Sequence, residues 1–137
     1  MKLGFIGAGF IARFQAVAIS QVRGLEVAGI LNRRGAESLA GFCREHRLGN
    51  TKIYDSIAEL ARNVDVTAIY VPNYCRVEVM EQIAAAVKAG AKLKGVIVDK
   101  PLARNMIEAR RMVELAREAK LLTAYFENQI FMKAIRS

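Results

Sequence analysis

Histidine and cysteine are scarce in this sequence: one histidine, His46, and two cysteines, Cys43 and Cys75, among 137 residues. No metal-ligand spacing links them, which argues against a zinc centre, and two thiols do not make a disulfide scaffold. That usage suits a reducing cytoplasm. No apolar run reaches membrane-spanning length without charges, so no membrane partner is expected. The N-terminus has one lysine and passes straight into a glycine-bearing strand, so no signal peptide is expected. Internal repeats, linkers and low-complexity segments are lacking.

Acidic residues are also short of basic ones, leaving a net charge of +8. A basic chain raises the question of nucleic acid. Here the lysines and arginines are spread over many helices and interleaved with glutamates, and aromatics make up only 7%. A solvated surface, with a smaller part attracting an anionic cofactor, is the preferred reading over a nucleic-acid partner. The chain length fits one domain, and a hydrophobic content of 53% is enough for a well-buried core.

The most informative stretch is the first, Lys2 to Ala12. It reads as a short apolar strand, a glycine turn and the start of a helix, with small residues spaced Gly7-x-Gly9-x-x-Ala12. Gly7 lets the chain leave the strand sharply, Gly9 removes a Cβ where a pyrophosphate approaches, and Ala12 lets the helix pack closely on the strand. The free N–H groups at Phe10 and Ile11 and the positive end of the helix then face phosphates. The alternative is a plain turn. Its position after a strand, before a helix and at the head of a βαβ alternation favours the nucleotide.

Helix 10–22 follows, with Ile11, Phe14, Val17 and Ala18 expected on one face, and Gly24 ends it. A strand at 25–31, a helix at 35–47, a short strand at 52–54 and a helix from the Asp55-Ser56 cap to about Arg62 come next. Then come a strand at 65–71 stopped by Pro72-Asn73, a helix at 75–89 closed by Gly90, and a strand at 94–98. An amphipathic helix at 103–119 through Met106, Met112, Val113 and Leu115, a strand at 121–126 and the start of a helix at 129–136 complete the series. Strict alternation with short connections predicts an α/β fold, a Rossmann-type doubly wound parallel sheet of about six strands with helices on both faces. Ligands of such sheets bind beyond the carboxyl ends of the strands, so the residues that follow each strand are the candidates.

After the second strand stands Asn32-Arg33-Arg34, about 20 residues beyond the glycine turn, where an acidic residue would bond the ribose of NAD. Guanidinium groups there suit a 2′-phosphate and favour NADP over NAD. The alternative is a pair of surface arginines, with Asn32 alone on the ribose. After the fourth strand, Pro72 ends the strand and Asn73 either meets the cofactor ribose or caps the next helix. Tyr74 and Arg76 point either into the cleft or to solvent.

After the fifth strand comes Asp99-Lys100-Pro101. Lys100 either enters the cleft, bonds a substrate hydroxyl and helps carry its proton, with partial burial and nearby cations lowering its pKa, or leaves for water. The Lys100–Pro101 bond is either cis or, more commonly for such bonds, trans. After the sixth strand, Glu127-Asn128-Gln129 suits a substrate rim or a helix N-terminus. His46 is expected at the surface, away from these strand ends.

Together these stretches resemble the Gfo/Idh/MocA oxidoreductases, the glucose–fructose oxidoreductase and inositol dehydrogenase family. The matching segments are GFIGAGFIA (4–12), VPN (71–73), DKPLA (99–103) and YFENQIF (125–131), in the family's order, and the Lys-Pro element is the specific one. The resemblance implies a nicotinamide-dependent sugar or polyol dehydrogenase. It gives Lys100 the catalytic role of the lysine in the family's Glu-Lys-Pro motif, places Asn73 beside the cofactor ribose and brings Glu127 and Asn128 towards substrate. The Asn-Arg pair after the second strand looks like the NADP-preferring branch. Two departures are Asp99 for the glutamate, and Tyr74 and Arg76 where the family often has histidines.

A third departure is length. Residues 1–137 are expected to form an NAD(P)-binding Rossmann domain alone, with the family's C-terminal α/β substrate domain absent from this chain. Little or no turnover is then expected without it, because hydride transfer needs both reactants in near contact. A homodimer that covers the exposed surface is a further expectation, and a non-catalytic nucleotide-binding module is the alternative function.

Overall fold

The computed structural model describes residues 1–127 and residue 130. A helix expected at 129–136 and the position of Asn128 therefore lie outside the described residues. Six strands form one sheet in the order β3-β2-β1-β4-β5-β6, and every pairing is parallel. They are β1 Lys2–Ile6, β2 Glu26–Leu31, β3 Lys52–Ile53, β4 Val66–Ile69, β5 Gly95–Asp99 and β6 Leu122–Phe126. The connecting helices are α1 Phe10–Ile19, α2 Ala36–Glu45, α3 Ile57–Asn63, α4 Arg76–Lys88 and α5 Met106–Glu118.

The central strands β1, β2, β4 and β5 are largely buried, which suits their near-continuous apolar character, whereas the edge strands β3 and β6 are mostly exposed. On one face Leu3, Phe5, Val27 and Ile30 pack with Ala12 and Ala16 of α1 and Leu39 and Cys43 of α2. On the other, Ile6, Ile69, Val96 and Val98 pack with Leu60 of α3, Met80 and Ile83 of α4 and Met112 and Leu115 of α5. The chain runs outwards through β2 and β3, then returns across β1 to start β4 on its other side. The strand order therefore reverses between β1 and β4, and this is where such sheets open a crevice.

Several expected faces are corrected. In α1 the core takes Ala12 and Ala16, while Phe14 and Val17 are about half exposed. Alanines let the helix axis come close to the sheet, and the larger apolar side chains are turned outwards. In α5 the core takes Met112, Leu115 and Ala116, whereas Met106 and Val113 are exposed. This helix starts at Met106, three residues later than expected, because Asn105 caps it by accepting from the Glu108 backbone N–H at 3.0 Å. The Glu108 carboxylate reaches back to the Arg104 N–H at 3.1 Å, completing a reciprocal cap. The Ser56 cap of α3 is as expected, accepting from the Glu59 N–H at 3.2 Å.

Candidate functional site: a hollow at the strand ends

The glycine turn is built by sterics. Gly7 has φ +112°, and a Cβ on it would stand 2.9 Å from the Tyr70 carbonyl carbon. The turn is pinned by Gly7 N–H donating to the Leu31 carbonyl at 2.9 Å and by Tyr70 N–H donating to the Ile6 carbonyl at 2.8 Å. The carboxyl ends of β1, β2 and β4 are thus drawn together. Gly9 differs: nothing lies within 4 Å of the position its Cβ would take. It is the N-cap of α1, with no side-chain cap bond and no acidic residue in the first turn. Among the described residues the first turn of α1 has no side-chain cap and no acidic residue of its own, and it opens beside the empty position over Gly9, an arrangement that fits a phosphate group.

These ends enclose a hollow of about 430 Å³, within the usual range for small-molecule sites. Gly7, Ala8 and Gly9 form one wall and Asn32 another; Tyr70, Val71 and Pro72 follow β4, and Arg76 and Asp99 complete the lining. The structure thus brings together Gly7, Gly9, Asn32 and Pro72 of the sequence candidates. Ala12 is fully buried under the turn and Ile11 is half-buried. Phe10 is exposed, as are Arg33, Arg34, Tyr74, Lys100 and Pro101. Asn32 donates through Nδ2 to the Arg34 carbonyl, which shapes the loop into α2. That helix begins after Gly35 in the left-handed region with no side-chain cap.

Asn73 is half-buried in a single 3-10 turn, Asn73–Cys75, and α4 carries no side-chain cap. The capping alternative for Asn73 is therefore not realised. The Lys100–Pro101 peptide is cis. The Lys100 side chain is exposed, as in the alternative in which it leaves the strand for water. Glu127 is half-buried just beyond β6. His46 is exposed as expected and packs against Phe42 with ring centres 4.2 Å apart and the ring planes tilted by 42°.

Two lining residues were left open or missed from sequence. Of the two alternatives for Arg76, the cleft is realised and solvent is not: it lines the hollow from beneath the strand ends and is 3% exposed. Its helical phase held the signal, because Arg76, Met80 and Ile83 recur at the spacing of a core stripe. Burial lowers its pKa below the ordinary arginine value, while Asp99 and Tyr125 act in the opposite direction. Tyr70 stacks edge-on with Phe5 at 5.0 Å and parallel to Phe126 at 6.3 Å. Burial pushes its phenol pKa well up, helped by the charge of Asp99, so it remains a neutral hydroxyl in the wall of the hollow.

A doubly wound parallel sheet with this turn at its switch point defines an NAD(P)-binding Rossmann domain. The chain belongs to the oxidoreductase family with an NAD-binding Rossmann fold known as Gfo/Idh/MocA, which it matches over residues 1–126. It is 38% identical over 118 residues to a 1,5-anhydro-D-fructose reductase of Ensifer adhaerens, covering 86% of this chain and 33% of that protein. It is 32% identical over 117 residues to a glucose-6-phosphate 3-dehydrogenase of Bacillus subtilis (strain 168), covering 84% and 30%. Among solved structures, a UDP-N-acetylglucosamine 3-dehydrogenase of Acidithiobacillus ferrooxidans superposes with TM-score 0.79 at 24% identity, over 99% of this chain and 41% of that one. That likeness supports the fold. The chain thus spans about a third of the length of the curated relatives it matches.

Proposed function

We propose that this chain holds NADP at the hollow, as the cofactor-binding part of a dehydrogenase acting on a sugar- or polyol-like alcohol. The observation that carries the reading is the empty space over Gly9, beside the uncapped start of α1 and at the reversal of strand order. Gly7 and Gly9 shape the turn, the N–H groups of Phe10 and Ile11 receive the pyrophosphate, and Ala12 seats the helix. Asn32 and Asn73 bond the riboses, with Pro72 holding the β4 end in place. Arg33 and Arg34, exposed beyond β2, pair with the 2′-phosphate that distinguishes NADP from NAD. Sugar chemistry is supported by the substrates that the two curated relatives' names carry.

The nicotinamide cofactor supplies or accepts the hydride when bound. Lys100, next to Pro101 at the end of β5, bonds the reacting oxygen of the substrate and hands it a proton or removes one. Tyr74 and Glu127, with Asn128, are assigned to the substrate side. Lys100 is exposed in this chain, and that favours the second reading for the chain by itself: a nucleotide-binding module without turnover. A panel of sugar alcohols with NADP separates the two readings, since turnover by these 137 residues would reject the inactive-alone proposal.

The binding test is calorimetric titration with NADPH and then NADH. We expect tighter NADPH binding, lost at least in part in Arg33→Ala. Equal binding of both removes the NADP preference, and binding of neither removes the site. Two further readings complete the proposal. With both cysteines free, the chain is assigned to the cytoplasm. A second copy is proposed to cover the exposed β6 edge, where Leu122 is 78% exposed; sedimentation as a clean monomer would reject it. Duplex DNA is expected not to bind, and salt-sensitive binding would overturn that.

A further inference from the structure

Resting on that reading, we infer that Arg76 is a positioning residue for Lys100: its guanidinium clamps the backbone on both sides of that lysine to the end of β4. A buried guanidinium must find partners for its donors. Arg76 finds them almost wholly in main-chain carbonyls. Nε donates to Val71 O at 3.0 Å, Nη1 to Asp99 O and to Pro101 O, and Nη2 reaches Lys100 O at 3.4 Å. The Asp99 carboxylate is 3.9 Å from Nη2, beyond hydrogen-bond range. Asp99 thus balances the charge of the guanidinium without taking up its donors, which are left to grip the chain.

The sheet does not do this work. The β5–β6 register ends at the pair Asp99↔Phe126, so the Lys100 and Pro101 carbonyls lie beyond the ladder. Pro101 brings no N–H of its own. The exposed Lys100 side chain is not held by packing. What fixes its starting point and direction is the peptide backbone, and the hydrogen bonds described for the Lys100 and Pro101 carbonyls come from Arg76. The fork shape matters. One planar guanidinium reaches four carbonyls in different directions, which the single nitrogen of a lysine does not reproduce. In the cofactor-bound state the same clamp sets where the lysine amine meets the reacting centre.

The test is nuclear magnetic resonance of the labelled chain as wild type, Arg76→Ala and Arg76→Lys, with and without NADPH. In Arg76→Ala we expect the signals of Lys100 and Leu102 to move or broaden while those of β1 and β2 stay in place. NADPH is expected still to perturb Gly9–Ile11, while the response at the Lys100 side chain is lost. Millimolar methylguanidinium should restore that response in Arg76→Ala, and Arg76→Lys should not recover it. Lys100 and Leu102 signals that superimpose on wild type in Arg76→Ala overturn the inference. So does a loss at Gly9–Ile11 as large as that at Lys100, which would make Arg76 a general support. If Arg76→Ala does not fold, Arg76→Gln carries the same comparison. A wild-type chain that does not respond to NADPH sinks the dinucleotide reading, while the cofactor-free comparison at Lys100 and Leu102 still decides the role of Arg76.

Discussion

Gly7 and Gly9 share a motif and differ in what surrounds them, so their substitutions should separate. Gly7→Ala forces a side chain into positive φ and against the Tyr70 backbone at 2.9 Å. A cost of roughly 2–4 kcal/mol in stability is expected, read by denaturant unfolding. Gly9→Val has open space and φ −78°, which an L-residue adopts freely. It should cost under about 1 kcal/mol as a poorer cap, yet weaken NADPH by at least about tenfold, or ~1.4 kcal/mol. A Gly9→Val chain that binds as well as wild type would empty the hollow of its proposed phosphate. The sequence made this pair legible because glycine spacing maps directly onto backbone geometry. It did not place Arg76, since a charged residue next to a turn is ordinarily exposed and only its phase with Met80 and Ile83 ties it to the core. Lys100 was left between cleft and water by the sequence, and its side chain lies exposed.

At the level of elements, β4 is anchored at its amino end by Asp65. Its carboxylate accepts the Lys2 N–H at 2.8 Å and meets Lys94 Nζ at 3.0 Å, tying β1, β4 and the start of β5. The Lys2 N–H bond first, and Lys94 second, hold its carboxyl below the usual carboxylate range. The folded pKa is thus below the unfolded one. The stabilisation is present above the ordinary aspartate value, near 4, and drains as pH falls through the lower folded value. Asp65→Asn should cost about 1 kcal/mol at pH 7, with the gap to wild type closing below about pH 4. A gap that stays constant across this range would assign the loss to packing. Also in β4, Thr67 is fully buried and its hydroxyl is without a hydrogen-bond partner among the described residues. Thr67→Val should therefore hold or raise stability, by up to about 1–2 kcal/mol in thermal unfolding. Strand positions were legible from apolar runs. The faces of α1 and α5 were less so, because a helix between a sheet and an open surface can expose phenylalanine and methionine and bury alanine, and periodicity alone does not say which side the sheet takes. The Asn105 cap of α5 was present in the sequence as Asn-x-x-Glu, displaced from the boundary drawn by the apolar stripe.

For the whole molecule, the alternation of strands and helices fixed the layered architecture and the crossover direction fixed its hand, but neither states which strand ends converge. That depends on the return across β1, which brings Gly7, Asn32, Tyr70 and Asp99 to one hollow although more than ninety residues separate the first from the last. The walls come from four strands that are adjacent only in the finished sheet. An unfolded or half-assembled chain thus has no hollow, and a dinucleotide selects the complete sheet from every other conformation. A dinucleotide bound as proposed would therefore stabilise the sheet through the four strands that wall the hollow, and the melting temperature should climb with cofactor concentration. At a hundred times Kd the added stability is about 2.7 kcal/mol, readable in a thermal-shift series. The ligand thereby becomes a reporter of tertiary assembly, including for variants at positions it never touches.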